Sequence, residues 1–313
     1  MLGVVIDPVI ELEMSNVKCR VRSLAISAVC SSVLALSTLC YAADSTAHRE
    51  MLVSTAWLAD HLDDANVVVL QVGDDRSNYQ KEHIPGARFL STNDFTTGHS
   101  GLMVELPTVE KLRQTFEMLG VKDDTRVVIY TVDWYPVAAR AFFTLDYLGH
   151  TNTALLDGSL AQWKAENRPV TGEEAKIARG SLQPHVNSSV LALLADAKAA
   201  SQSGSQTILV DSRPQRRYVA GHLPGADHIF WEETVANSNK PVFLPPDDLR
   251  KLFASRGVTP GHKLVTYCEI GLQASHMYFV AKYLGYDVSM FDGSFYQWND
   301  VEHLASVKGS SPQ

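Results

Sequence analysis

The chain has 313 residues, 45% hydrophobic and 20% charged, a balance that excludes a disordered chain or a membrane bundle and leaves room for two globular cores. Its formal net charge of −8 and the lack of any basic run interleaved with aromatics exclude an electrostatic nucleic-acid binder. An anionic ligand would have to be held by local groups.

In chain order, the first element is a targeting pattern. From Met14 the sequence is basic (Lys18, Arg20, Arg22), then apolar from Leu24 to Leu39, then small around Ala42 and Ala43. That is the layout of a secretory signal, with cleavage expected after Ala42 and a periplasmic or secreted product. Asp7, Glu11 and Glu13 are foreign to such a segment, so translation is expected to begin at Met14. A retained single-span anchor over Ser23 to Ala43 is the alternative, and a cleaved product would have no membrane segment. Within residues 1–42 the three acids balance the three bases, so the mature charge stays at −8. The same segment carries Cys19, Cys30 and Cys40, which leaves Cys268 alone and rules out an intrachain disulfide.

The remainder nearly repeats itself. "YQKEHIPGARF" at 79–89 matches "YVAGHLPGADH" at 218–228, and "LLDGSLAQW" at 155–163 matches "MFDGSFYQW" at 290–298. Between the members of each pair lie a helical pattern, an apolar strand and a second helix: "TVEKLRQTFEMLG", "RVVIY" and "VAARAFFTLDYLG", then "PDDLRKLFASRG", "KLVTY" and "LQASHMYFVAKYLG". This alternation predicts an α/β fold of two tandem domains, 50–172 and 183–305, each a parallel sheet flanked by helices. Residues 173–182 read as the linker and the tail beyond 305 as a frayed end.

Most of the repeated residues have structural explanations. Pro-Gly in "HIPGA" and "HLPGA" suits the centre of a type II turn, with His83 and His222 bracing it rather than binding metal. Ser159 and Ser294 are expected to cap helices, and Trp163 and Trp298 to anchor them. Cys268 is different. It follows the apolar strand "KLVTY" and precedes a helix, at the carboxyl end of a strand of an open parallel sheet, where ligands bind. Amides of "EIGLQ", with Gly271 allowing the tight curl, can converge on the sulfur, and the helix aims its positive end at it. A free thiol with a pKa near ~8.5 is about 3% ionised at pH 7; a helix N-terminus can bring it to ~7, so a lowered thiol pKa is expected here.

The tandem H-[IL]-P-G-A and D-G-S-x-x-Q-W motifs, with a C-x-x-G loop after the central strand, resemble the two-domain rhodaneses, which are sulfurtransferases. The resemblance implies that Cys268 takes a sulfur from a small anionic donor such as thiosulfate and becomes a persulfide. It then passes the sulfur to a thiophilic acceptor such as cyanide or a thiol. Only the second domain would be catalytic, since Thr131 or Val132 stands opposite Cys268 when "VVIYTVDWYPVAARAFF" is aligned with "KLVTYCEIGLQASHMYF". The loop Glu269, Ile270, Gly271, Leu272 and Gln273 would bind substrate. In "DSRPQRRY", Arg217 would contact the donor's anionic group, while Asp211 and Arg213 form a supporting ion pair and Arg216 stays solvated.

The loop C-E-I-G-L-Q differs from the C-R-K-G-V-T and C-G-S-G-V-T loops of thiosulfate- and mercaptopyruvate-using members. It lacks the two cations of the thiosulfate-using loop and adds an acid, and Glu269 is expected to point to solvent, because facing the pocket it would repel an anion and raise the thiol pKa. Ile270 and Leu272 would shape the entrance, which admits a larger donor or a protein persulfide. Trp134 and Tyr135 lie in the first-domain loop equivalent to the one with the thiol, and whether they reach across to wall the pocket is left open by the sequence. No metal or organic cofactor is implied. A phosphatase is disfavoured because Ala274, not arginine, lies six residues after Cys268. Disulfide exchange lacks a resolving thiol. A sulfur carrier without turnover is the open alternative.

Overall fold

The computed structural model describes residues 47–132, 134–237 and 242–311; the expected signal segment 1–42 lies outside the described residues. The first copy supplies strands β1 (Leu52–Ser54), β2 (Val67–Gly73) and β3 (Arg88–Ser91). An antiparallel hairpin of β4 (Thr97–His99) and β5 (Leu102–Glu105) follows, then helix α1 (Val109–Met118), β6 (Arg126–Thr131), helix α2 (Tyr135–Tyr147) and β7 (Thr153–Asp157). Apart from the hairpin, the strands form one parallel sheet in the order β1-β7-β6-β2-β3. The second copy supplies β8 (Leu191–Ala192), β9 (Thr207–Asp211), helix α3 (Gln215–Ala220), β10 (Asp227–His228), helix α4 (Pro246–Ser255), β11 (Lys263–Tyr267), helix α5 (Leu272–Tyr283) and β12 (Val288–Phe291). Its sheet is also parallel, in the order β10-β9-β11-β12-β8, which repeats the first sheet read from the other end.

Central strands buried on both faces must be apolar along their whole length, and β6 (RVVIYT) and β11 (KLVTY) are buried at every residue after the first. Helix α2 shows why the two sheets form one body. Twelve of its thirteen residues are buried, too many for a helix covering only its own sheet. Its second partner is α5, the equivalent helix of the other copy. Phe142 meets Phe279 edge-on at 5.0 Å, and Phe143 meets Tyr278 at 5.1 Å. Asp146 accepts hydrogen bonds from the Tyr278 hydroxyl and the Lys282 ammonium. In the repeat alignment Phe142 corresponds to Tyr278 and Phe143 to Phe279, so each ring packs on the non-equivalent ring of the other copy, as a local two-fold requires.

The repeated motifs pin chain reversals. Gly86 and Gly225 have φ of 77° and 74°, and the Ala87 and Ala226 amides close the turns onto Ile84 and Leu223. His83 and His222 are buried, stack on Tyr79 and Tyr218, and bond those residues' carbonyl oxygens through Nδ1. Trp163 and Trp298 donate to the carbonyls of Pro169 and Ala305. The linker residues form no helix or strand, yet Gly180 N donates to Glu117 O at 2.7 Å and Arg179 pairs with the Glu117 carboxylate.

The capping role expected of the D-G-S serines is corrected. Both have left-handed backbones, with φ of 57° at Ser159 and 54° at Ser294. Gly158 caps the helix Ser159–Ala165, and the Ser159 hydroxyl reaches only the Ala161 amide, at 3.3 Å. Ser294 turns its hydroxyl back toward the sheet, donating to Phe291 O and accepting from Cys268 N. Among the described residues no helix is long and apolar enough to cross a membrane.

Candidate active site

Strands β9 and β11 are neighbours, with Tyr267 in register with Asp211, and the connections run outward from this pair in opposite directions. A crevice opens at such a switch point, outside the carboxyl ends of the strands. Cys268 leaves β11 there and Ser212 and Arg213 leave β9, with Ser212 N donating to Tyr267 O at 2.9 Å.

Cys268 is 1% exposed, and the Gly271 amide points at its sulfur from 3.2 Å. Gly271 has a φ of 96°, and a Cβ there would lie 2.8 Å from Asp292 Oδ1, so the curl requires glycine. The expected lowering of the thiol pKa is corrected. Burial is the largest influence and pushes the thiol up from its ordinary value, while the amides of Ala274, Ile270, Gly271 and Gln273 pull the other way without overcoming it. A sulfur this enclosed loses more hydration as thiolate than the amides restore.

The second D-G-S turn holds the loop from below. Besides the Ser294 contact, Phe295 N donates to Cys268 O at 2.9 Å and Tyr296 N to Glu269 O at 3.0 Å. The turn is in turn fixed to the first domain. Arg140 of α2, fully buried, makes a two-pronged pair with Asp292, with Nη1 on Oδ1 and Nη2 on Oδ2. Arg140 Nη2 also donates to Val104 O at 2.8 Å, and Leu106 N to Asp292 Oδ2 at 3.3 Å. Glu105, beside this pair, is pushed up to about 7 by burial and then by the Asp292 charge, with Arg140 opposing. The first copy's turn shows half of the arrangement: Asp157, raised to about 6 by burial, accepts from Phe243 N at 2.9 Å. The residue aligned with Arg140 is His276, which burial lowers to about 3 and which hydrogen-bonds Thr234 Oγ1 at 2.7 Å.

Above the sulfur is a cavity of about 280 Å³. Cys268, Glu269, Ile270, Leu272, Gln273, Arg213 and Arg217 line it, with Pro214, Arg216 and Trp134. Gly271 lies behind the sulfur, and Asp211 lies beneath as the anchor of Arg213. Arg213 Nη2 meets Asp211 Oδ2 at 2.7 Å and Gly221 O at 2.6 Å, and the guanidinium lies 3.9 Å from the centre of the Phe295 ring. Its Nη1 reaches Glu269 Oε2 at 3.1 Å. Glu269 is therefore not simply solvent-facing; it is wall, its charge offset by a buried guanidinium with one prong left over. Arg216 is exposed, as expected of a solvated side chain, and it also lines the cavity beside Arg217, which is exposed too; neither has an ion pair among the described residues. Of the two aromatics, only Trp134 reaches the cavity. Tyr135 is core, donating to Leu156 O and packing on Phe243. Among the described residues no cluster of three His, Cys, Asp or Glu side chains could hold a metal.

Sequence reasoning missed Arg140, Asp292 and Ser294 as parts of this site. The latter two sit in the repeated D-G-S motif, which signalled a turn but not what lay above it. Arg140 showed only as one of two charges, with Asp146, in a largely apolar helix, the one available hint.

The Rhodanese-like domain model matches residues 54–166 and 193–300. The chain belongs to the rhodanese family. It is a tandem rhodanese of the sulfurtransferase type, similar to the sulfur carrier protein TtuD of Thermus thermophilus, with 32% identity over 84% of this chain and 98% of that protein. A probable 3-mercaptopyruvate sulfurtransferase of Pseudomonas aeruginosa is also 32% identical, over 70% of this chain and 82% of its own. The crystal structure of the 3-mercaptopyruvate sulfurtransferase SseA of Escherichia coli superimposes with a TM-score of 0.72 at 25% identity, covering 78% of this chain and 98% of that one.

Two outcomes are expected of this rhodanese. Alkylation of Cys268 by iodoacetamide needs thiolate, so a raised pKa moves the rise in rate to higher pH than for a free cysteine; a rate that levels off below neutrality would contradict the burial argument. Arg140→Met and Asp292→Asn each strand a buried charge and should cost about 3–5 kcal/mol in urea unfolding, whereas the double variant loses less than the sum. Additive losses would show that the two side chains are not coupled.

Proposed function

We propose that this rhodanese transfers a sulfane sulfur from a small anionic donor such as thiosulfate to a thiophilic acceptor, cyanide or a thiol, through a persulfide on Cys268. The observation that carries this reading is an enclosed sulfur, faced by main-chain amides, on a cavity also lined by two arginines that have no ion pair among the described residues. The thiolate attacks the outer sulfur of the donor; the donor's S–S bond breaks, and its electron pair leaves on sulfite. Amides of the loop stabilise the anionic sulfur before and after transfer, at no reorganisation cost because the D-G-S turn already fixes them. Attack of the acceptor on the outer sulfur then returns the thiolate.

Arg217 and Arg216 hold the donor's oxygens, Glu269, Ile270, Leu272 and Gln273 shape the cavity, and Gly271 supplies the nearest amide. Asp211 and Arg213 fix the strand end that carries the arginines. A second reading, a carrier that loads sulfur once for a protein partner, is favoured by the resemblance to TtuD, which is named a sulfur carrier protein. On either reading we place the activity outside the cytoplasm, with residues 1–42 as a cleaved export signal.

Purified protein given thiosulfate and cyanide should release thiocyanate over repeated turnovers, and Cys268→Ser should abolish release. One sulfur per chain without turnover would select the carrier. Arg217→Ala should lower kcat/KM by roughly 10- to 100-fold, the worth of a charge-assisted hydrogen bond; an unchanged value would remove Arg217 from donor binding. N-terminal sequencing of protein recovered from the periplasm should begin at Ala43, and a start at Met1 or Met14 would refute cleavage.

A further inference from the structure

The buried pair of Arg140 and Asp292 is complete on the carboxylate's side and incomplete on the arginine's. Arg140 gives Nη1 and Nη2 to Asp292 and Nη2 also to Val104 O, but its Nε is buried with no hydrogen-bond partner among the described residues. A buried donor on a charged group is costly to leave unsatisfied. Close to the pair stands Glu105, a half-buried carboxyl that makes no hydrogen bond and no ion pair among the described residues. A cation with a spare donor and a carboxyl without a partner are thus neighbours.

The strand that carries Glu105 touches the pair on both sides of it. Val104 O accepts from Arg140 Nη2 at 2.8 Å, and Leu106 N donates to Asp292 Oδ2 at 3.3 Å. Across the hairpin Glu105 stands opposite Thr97, which carries no charge. The charged groups that act on its carboxyl are Asp292, from the turn after β12, and Arg140, from α2. Burial and the Asp292 charge hold the proton on it against Arg140, and it titrates at a pH of about 7. Loss of that proton sets two carboxylates around one guanidinium. Any share of Arg140 that Glu105 takes is taken from Asp292, which begins the turn that seats Cys268 and Glu269.

We propose that Glu105 is a positioning residue for the thiol loop: as a neutral acid it leaves Arg140 to Asp292 and the loop firmly seated, and as a carboxylate it draws on Arg140 and loosens that seat. The domain without a thiol thereby sets, from across the interface, how steadily the amides face the sulfur. The direction with pH follows from where the proton is held more tightly. Glu105 keeps its proton in the seated form up to about 7, whereas a carboxyl opened to water has its ordinary value of 4.5. The seat is therefore firmest below the ordinary value and weakens as the pH rises through about 7. Between pH 6 and pH 8 these two values make opening about tenfold easier.

Hydrogen exchange of the full chain tests this, each rate corrected for the intrinsic pH dependence of amide exchange. The Leu106 and Cys268 amides, which bond Asp292 Oδ2 and Ser294 Oγ, should lose about tenfold in protection from pH 6 to pH 8 beyond any change at the β6 amides. In Glu105→Gln, which stays neutral, that extra loss should vanish. The pH midpoint of Cys268 alkylation by iodoacetamide should also be lower in Glu105→Gln than in the native protein, because the added charge and the loosened amides both disfavour thiolate. An equal loss of protection in the two proteins, or the same alkylation midpoint in both, overturns the proposal. If Glu105→Gln does not fold, the native protein decides alone: no loss at Leu106 and Cys268 beyond that of β6 overturns it. Neither measurement needs a sulfur donor, so failure here leaves the transferase reading untouched.

Discussion

Two opposite charges taken out of water hold together only when their geometry and additional hydrogen bonds offset the desolvation of both. Arg140 and Asp292 meet that condition: two prongs of contact, with the Val104 carbonyl on the arginine and the Leu106 amide on the carboxylate. Their position gives the pair its consequence. Asp292 begins the turn whose next residues hold the backbone of Cys268 and Glu269, and it fills the space a side chain at Gly271 would need. The loop carrying the thiol is thus seated on a turn that is itself fixed by the domain without a thiol. This explains why the first copy is retained with its helix α2 buried almost completely, although it has no cysteine of its own.

The chemistry at Cys268 is a contest between enclosure and main-chain dipoles. The amides at the start of α5 favour the thiolate, as the position after the strand suggested, but the same curl that aims them shuts the sulfur away from water, and burial prevails. A site of this kind trades thiolate abundance for a fixed and dry surrounding in which each aimed amide is worth more. The exposed charges of Arg216 and Arg217 on the cavity wall give it a local positive charge in a chain whose overall charge is −8.

The architecture was legible in the sequence because it is written twice. The two H-x-P-G-A and D-G-S-x-x-Q-W motifs and the alternation of strand and helix patterns were enough to give two parallel sheets of equal order, as the strands show. The place of the thiol was legible from the pattern around it: an apolar strand ends just before Cys268 and a helix begins a few residues after it, as the structure has them. Side-chain partners were not. Glu269 was expected to face solvent because an acid by an anion site is unfavourable, and nothing local revealed that buried Arg213 had a spare prong for it. The D-G-S serines matched a capping pattern, but a left-handed backbone at both turned their hydroxyls elsewhere. Arg140 could not be assigned because its partner lies 152 residues away in the other copy.

Duplication also explains how the two loops came to cooperate. Helices α2 and α5 pack against each other about a local two-fold, so the loops at their N-termini are brought to the same side of the interface. Each D-G-S aspartate accepts an amide from the opposite copy, Asp157 from Phe243 and Asp292 from Leu106. Only one side gained the arginine; the other has His276, which burial keeps neutral and which therefore cannot balance a buried carboxylate. Asp157 accordingly sits raised toward its neutral form while Asp292 is paired, and the thiol lies on the side where the pair exists. The loop freed from that duty turned an indole into its partner's cavity. The asymmetry between the copies is thus one of buried charge first, and of the thiol second.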